Sequence, residues 1–121
     1  MDAKDNFGGA FFNRGVQSLA LKLVLLKRIG QGEVYSYALL KELDKRGGFF
    51  KHLRHHGMNV KNDVYNTVKA LEKSGYIRMK ARIEGGRLKK YYSITMSGRR
   101  VLMQTTKVLK SSMRNLIEIM R

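Results

Sequence analysis

The sequence of 121 residues contains no cysteine, no proline and no tryptophan, and only 9 of its residues are acidic. Without cysteine the chain cannot form a disulfide framework, a zinc knuckle, an iron–sulfur site or a thiol nucleophile. The longest unbroken aliphatic run, Leu23 to Leu26, is too short for a membrane span or a signal peptide. We therefore expect one folded domain that has no membrane partner and is cytoplasmic.

The shortage of acids makes the chain strongly basic, because 25 lysines and arginines give a formal net charge of +16. A charge of this size indicates a polyanionic partner, most often nucleic acid. We therefore expect the protein to be nucleoid-associated. Residues 76–95 carry +5, residues 96–121 carry +5, and residues 62–75 have no net charge. An anionic membrane surface is disfavoured, since the charge of residues 76–95 lies on a predicted hairpin and not on an amphipathic surface helix.

Hydrophobic periodicity predicts three helices before the hairpin. The first begins at Val16, has apolar residues on much of its circumference, and ends at Gly30-Gln31-Gly32. The second extends from about Tyr35 to Arg46. The third occupies residues 62–75, with Asn62 or Asp63 as its cap and Gly75 as its end. Its inward face is formed by Val64, Val68 and Leu71.

Strict alternation of apolar and charged residues after the third helix predicts a half-buried strand. Gly85-Gly86 then predicts a two-residue hairpin turn, because such turns favour residues that adopt positive φ. The predicted pairs extend from Glu84–Arg87 at the turn to Ile77–Ile94 at the base. In this register Arg82 lies opposite Lys89 on a cationic outer face, which costs stability unless an anion lies between them.

The last segment predicts a long helix that is capped by Thr95 or Ser97 and extends to the C-terminus. Its apolar residues are spaced 7, 4, 3 and 4 apart, a narrow seam typical of packing between two helices. We predict that this seam forms a homodimer through Leu102, Leu109, Met113, Leu116 and Met120.

Three helices followed by a basic hairpin form a winged helix-turn-helix, so the predicted fold is mainly α with a small β-hairpin and a long C-terminal dimerisation helix. The predicted organisation is an N-terminal arm over residues 1–15, a DNA-binding domain over 16–95 and the dimerisation helix over 96–121. In such a fold the third helix enters the major groove of double-stranded DNA and the wing lies along the backbone.

The predicted DNA contacts are on the recognition helix and the wing. On the helix they are Lys61, Asn62, Tyr65, Asn66, Lys69 and Lys73. On the wing they are Arg82, Arg87, Lys89 and Lys90. Asn66 is the expected base contact because a carboxamide pairs bidentately with adenine, whereas Lys61, Tyr65 and Lys69 are expected on phosphates.

Four stretches carry a resemblance to a known family: the motifs GEVYSYALLKEL, NDVYNTVKALEKSGYI and GGRLKKYYSITMSGRRVL, and the long C-terminal helix. In this order they resemble the second helix, the recognition helix, the wing with the entry to the next helix, and the dimerisation helix of the PadR-type transcriptional regulators, over roughly residues 17–121. Asn66 stands where that family usually has proline. The resemblance implies a homodimeric, repressor-like, sequence-specific DNA-binding protein, and it implies no particular small-molecule effector for this chain.

Other functions have less support. His52, His55 and His56 are spaced as metal ligands could be, but no carboxylate lies near them in the sequence and Lys51 and Arg54 repel a cation. We therefore predict a basic loop there, with no metal and no cofactor. No catalytic pairing of acids, serine or histidine is present in the sequence, so we predict that the protein is not an enzyme. The alternative to a specific regulator is an architectural protein that coats DNA with little sequence preference.

Overall fold

The computed structural model describes residues 14–45 and 60–121. Within these ranges the chain forms four α-helices and one three-stranded antiparallel sheet. In chain order they are α1 (Arg14–Gly30), β1 (Val34–Tyr35), α2 (Ser36–Lys45), α3 (Val60–Lys73), β2 (Ile77–Glu84), β3 (Arg87–Ile94) and α4 (Met96–Met120). This is a winged helix-turn-helix with a long C-terminal helix, which confirms the predicted fold.

The core forms around α1, the most buried helix. Its apolar residues cover more than one face, and Leu21, Leu25 and Ile29 are almost completely shielded from solvent. Each such side chain contributes roughly 1.5–3 kcal/mol by leaving water. The rest of the buried core comes from α1 itself, the other helices and the sheet: Leu26, Val34, Leu39, Leu43, Val64, Val68, Leu71, Ile77 and Tyr92.

The hairpin of β2 and β3 has the predicted register, from Glu84 opposite Arg87 to Ile77 opposite Ile94. Gly85 and Gly86 have φ values of 57° and 75°, which residues with a Cβ seldom adopt. The inner face is buried at the base of the hairpin, at Ile77 and Tyr92, and exposed at its tip, at Ile83 and Leu88.

The third strand, β1, was not predicted, and Tyr35, which was predicted to begin the second helix, belongs to it. Val34 pairs with Tyr92 and Tyr35 pairs with Tyr91, which places β1 beside β3 in the order β1-β3-β2. Two residues are too few to show an alternating pattern, and their partners lie more than fifty residues further along the chain.

A glycine ends α3 and determines where the wing begins. Gly75 has a φ of 80°, and its N–H donates to the carbonyl of Glu72 at 3.0 Å. The N–H of Tyr76 donates to the carbonyl of Leu71 at 2.9 Å. Together these bonds form a Schellman motif, which satisfies the last carbonyls of the helix and turns the chain into β2.

The start of α4 is joined to the start of β2. Thr95 caps α4, since its Oγ1 accepts a bond from the N–H of Gly98 at 3.0 Å and donates to the carbonyl of Gly75 at 2.6 Å. The N–H of Thr95 also donates to the carbonyl of Tyr76 at 3.1 Å. Gly98 is buried at this junction, and a Cβ there would lie 2.0 Å from the Tyr76 carbonyl oxygen. Only glycine fits in this place without displacing the helix.

Several predicted boundaries are wrong by one or two residues. Because α1 begins at Arg14, the last two residues of the predicted arm are helical. Because α3 begins at Val60, Asn62 and Asp63 lie inside its first turn and neither is the cap. Asp63 complements the positive end of the helix dipole there. Residues 1–13 of the arm and the predicted histidine loop lie outside the described residues.

Candidate nucleic-acid interface

Helix α3 has two distinct faces. Val64, Val68 and Leu71 are buried against α1 and the sheet, as predicted. All six predicted DNA-contact residues of the helix are exposed on its remaining surface: Lys61, Asn62, Tyr65, Asn66, Lys69 and Lys73. Because one face of α3 is buried, the opposite face and its polar side chains point towards solvent.

Tyr65 and Lys69 contact each other on the exposed face of α3. They are four residues apart, and the Lys69 ammonium lies 4.7 Å from the centre of the Tyr65 ring. Residues at this spacing are neighbours on a helix, and a cation over an aromatic ring is held there electrostatically. The contact restricts both side chains, so a hydroxyl donor and a cation lie side by side on the helix surface.

The wing formed by β2 and β3 lies next to α3 in the chain and packs against it through its base. Arg87 and Lys90 are exposed, and neither forms an ion pair with any residue that the structure describes. Arg82 and Lys89 are half-buried instead. The four predicted wing cations therefore fall into two classes that the sequence did not separate.

Arg82 and Lys89 belong to a network on the outer face of the sheet. The Arg82 guanidinium binds both carboxylate oxygens of Glu33, at 2.7 Å and 3.1 Å. The Lys89 ammonium lies 3.8 Å from Glu84 Oε2. These are the anions that the predicted Arg82–Lys89 pairing required. We call this set of residues the wing network; its members are Glu33, Tyr35, Arg82, Glu84, Lys89 and Tyr91.

The two tyrosines of the wing network hold its cations in place. Arg82 lies over the Tyr91 ring at 4.6 Å, and Lys89 lies 5.1 Å from the centre of the Tyr35 ring. The Tyr91 hydroxyl donates to Glu84 Oε2 at 2.8 Å, and this hydrogen bond raises the pKa of Tyr91 above its ordinary value. Because Tyr35 belongs to β1, the network also attaches the wing to β1. This attachment requires that β1 pair with β3.

Glu84 could have been found from the sequence, because it shares the outer face with Arg82 and Lys89 by the period of two. Glu33 could not have been found, since it lies 49 residues from Arg82 and reaches it only through the pairing of β1 with β3. A third ion pair, between Arg28 of α1 and Glu42 of α2, was also missed. The hydrogen bond to Glu42 raises the pKa of Arg28, and the ion pair holds α2 against α1.

The predicted dimerisation residues lie along α4 but differ in exposure. Leu102 packs against the core of its own chain. The other four are exposed: Leu109, Met113, Leu116 and Met120. Val108, Ile117 and Ile119 are also exposed, so the apolar surface of α4 is wider than the predicted seam. Exposed apolar surface of this kind is typical of sites where proteins associate.

The described residues contain no group of three histidine, cysteine or acidic side chains that could hold a metal ion. Within the same ranges, no helix is both long enough and apolar enough to cross a membrane.

Comparison with known proteins identifies the family. The model of the transcriptional regulator PadR-like family matches residues 25–104, which include α2, α3, the wing and the first part of α4. The chain belongs to the PadR-like family of transcriptional regulators. The resemblance found in the sequence is therefore confirmed. No curated protein matches the chain.

Several solved structures share this fold. A PadR family regulator from Eggerthella lenta has a TM-score of 0.72 at 21% identity, over 98% of this chain and 96% of that one. A Streptococcus transcriptional regulator has a TM-score of 0.63 at 25% identity, over 86% and 97%. Bacillus subtilis PadR in complex with operator DNA has a TM-score of 0.57 at 24% identity, over 71% of this chain and 46% of that one.

Proposed function

We propose that this PadR-like protein is a homodimeric regulator that binds double-stranded DNA sequence-specifically, with α3 in the major groove and the wing on the backbone. The observation that carries the proposal is the exposed polar face of α3 beside a hairpin whose residues 76–95 carry +5. The operator complex of Bacillus subtilis PadR supports it by analogy of fold.

The exposed face of α3 has suitable chemistry for both kinds of DNA contact. A helix fits a major groove about 12 Å wide, and the Asn66 carboxamide can donate to N7 of adenine and accept from its N6 amino group in one plane. Lys61, Tyr65 and Lys69 offer donors to phosphates, which position the helix without selecting sequence. Because residues 62–75 have no net charge, this helix supplies selectivity and little of the electrostatic affinity.

The wing supplies the electrostatic affinity. Arg87 and Lys90 at its exposed end are available to phosphates. Arg82 and Lys89 reach a phosphate only when it replaces the carboxylates that they bind in the wing network. Each phosphate neutralised releases counterions, which makes such binding strongly dependent on salt.

Two copies of the chain would place two recognition helices on one duplex. The exposed apolar residues of α4 support self-association, since a C2 dimer buries the same surface of both copies. In helix-turn-helix dimers the half-sites lie one helical turn apart, about 34 Å. We therefore expect an operator with two-fold symmetry.

Removing the exposed wing cations is expected to weaken binding to every sequence alike. In the double variant Arg87→Ala and Lys90→Ala, affinity should fall for both an operator and a scrambled duplex, and the salt slope should decrease by about one unit for each phosphate that is no longer neutralised. The operator is obtained by selecting duplexes from a random pool with the wild-type protein. Titrations at several salt concentrations measure the slope. A slope equal to that of the wild type would place the wing away from the backbone.

Replacing Asn66 is expected to act on sequence preference instead. Asn66→Ala should cost about 1–3 kcal/mol at one base pair of the operator and leave the salt slope unchanged, because a neutral side chain releases no counterion. The measurement is affinity for a set of duplexes that each carry one substituted base pair. Ser74→Ala, which is also neutral and lies exposed just after α3 outside the predicted contacts, is the control for surface changes. An unchanged preference at all base pairs would favour the architectural, non-specific alternative.

A further inference from the structure

The wing network matches two carboxylates to two cations. Arg82 binds Glu33 through both carboxylate oxygens, and Lys89 pairs with Glu84. The network therefore has no net charge, although residues 76–95 as a whole carry +5. The cations that remain unpaired among the described residues of the wing lie outside it, at Arg78, Lys80, Arg87 and Lys90.

The geometry around Arg82 is that of an arginine holding an oxyanion. One guanidinium nitrogen donates to Glu33 Oε2 at 3.1 Å, and the other lies 2.7 Å from Oε1. Arginine also uses both of its terminal nitrogens to bind a phosphate. The guanidinium is in addition held over the Tyr91 ring, so its position does not depend on Glu33 alone. The Glu33 carboxylate therefore lies beside the Arg82 guanidinium, in the position that a phosphate bound to Arg82 would occupy.

Glu84 has the same relation to Lys89. Its Oε2 accepts from the Tyr91 hydroxyl at 2.8 Å and lies 3.8 Å from the Lys89 ammonium. The tyrosine thus holds the carboxylate beside the cation. Both ion pairs are about one-third exposed, which leaves them open to competition by an external anion.

We propose that Glu33 and Glu84 act as intramolecular substitutes for phosphate that limit how strongly the wing binds DNA of any sequence. The inference rests on the proposed function and adds to it two residues that oppose binding. In a chain of net charge +16, phosphate contacts supply essentially all of the non-specific affinity, and a genome offers a large excess of non-specific sites. Holding two wing cations on carboxylates reduces that competition.

The test uses the full chain and a mixed-sequence duplex, because non-specific binding needs no operator. Glu33→Gln and Glu84→Gln should each tighten binding to this duplex by about 3–10-fold at low salt, and each should steepen the salt slope by about one unit. Adding Arg82→Gln to Glu33→Gln should remove the gain, since the freed cation is then absent. Thermal unfolding confirms that each variant is folded.

The matched control is Glu118→Gln, which makes the same change of charge at the far end of α4, where Glu118 pairs with Arg121. Its binding should equal that of the wild type. An equal gain in the control, or unchanged or weaker binding with an unchanged slope in Glu33→Gln, overturns the inference. If the wild type binds the duplex and the variants bind it with the same affinity and salt slope, only this inference is overturned. If the wild type binds no duplex, the proposed function and the inference are both overturned.

Discussion

Substituting Leu109 and Leu116 with glutamine is expected to produce a monomer whose affinity for its operator falls by about 100-fold or more. In a dimer, binding of one half-site places the second recognition helix at a high effective concentration beside the other, and a monomer lacks this advantage. Both side chains lie outside the buried core of the single chain, so the glutamines leave that core intact. Sedimentation equilibrium measures the association, and titration with the selected operator measures the affinity.

The control for these substitutions is Ser111→Gln, which lies on α4 away from the apolar surface and should leave both measurements unchanged. Unfolding curves of the variants at one protein concentration separate loss of association from loss of fold. A wild-type chain that sediments as a monomer at micromolar concentration would contradict the proposed dimer. Its exposed apolar surface on α4 would then have to be covered by something other than a second copy.

Replacing Gly98 with alanine is expected to lower the free energy of unfolding by about 2–4 kcal/mol, although alanine is the better helix former. The added Cβ would lie 2.0 Å from the Tyr76 carbonyl oxygen and 2.8 Å from Ile94 Cγ1, so the start of α4 must move away from the sheet. That movement strains the bond from the Thr95 N–H to Tyr76. Urea denaturation at one protein concentration measures the decrease in stability.

Ser97→Ala is the matched control, because Ser97 is the exposed neighbour of Gly98 in the same turn. Its free energy of unfolding should remain within about 0.5 kcal/mol of the wild type. Equal stability of Gly98→Ala and the wild type would mean that α4 does not pack on Tyr76 as the structure shows.

The features that were predicted correctly depend on neighbouring residues in the sequence. The register of the hairpin follows from the two glycines of the turn and a period of two, both of which are local. The buried face of α3 follows from aliphatic residues at helical spacing, and the polar face follows by exclusion. The order of these elements, together with the three motifs, was enough to indicate the PadR-like family.

Helix starts were less well predicted. Asn62 and Asp63 have side chains that commonly cap helices, but such residues also occur within the first turn of a helix. Nothing in the sequence at Val60 or Lys61 indicates that the helix begins there. The width of the apolar surface of α4 was also underestimated. Only the residues of one seam were included in the prediction, and Val108 and Ile117 beside that seam were left out.

By itself the sequence determined the helices, the wing and its register, the family, and which side chains of α3 face outwards, since each follows from local periodicity or turn chemistry. Only the tertiary structure decided that β1 joins β3, that Glu33 lies against Arg82, and that Gly98 allows α4 to approach Tyr76. These contacts join residues that are distant in the chain. Their partners are set by the packing of whole elements, which no local pattern encodes.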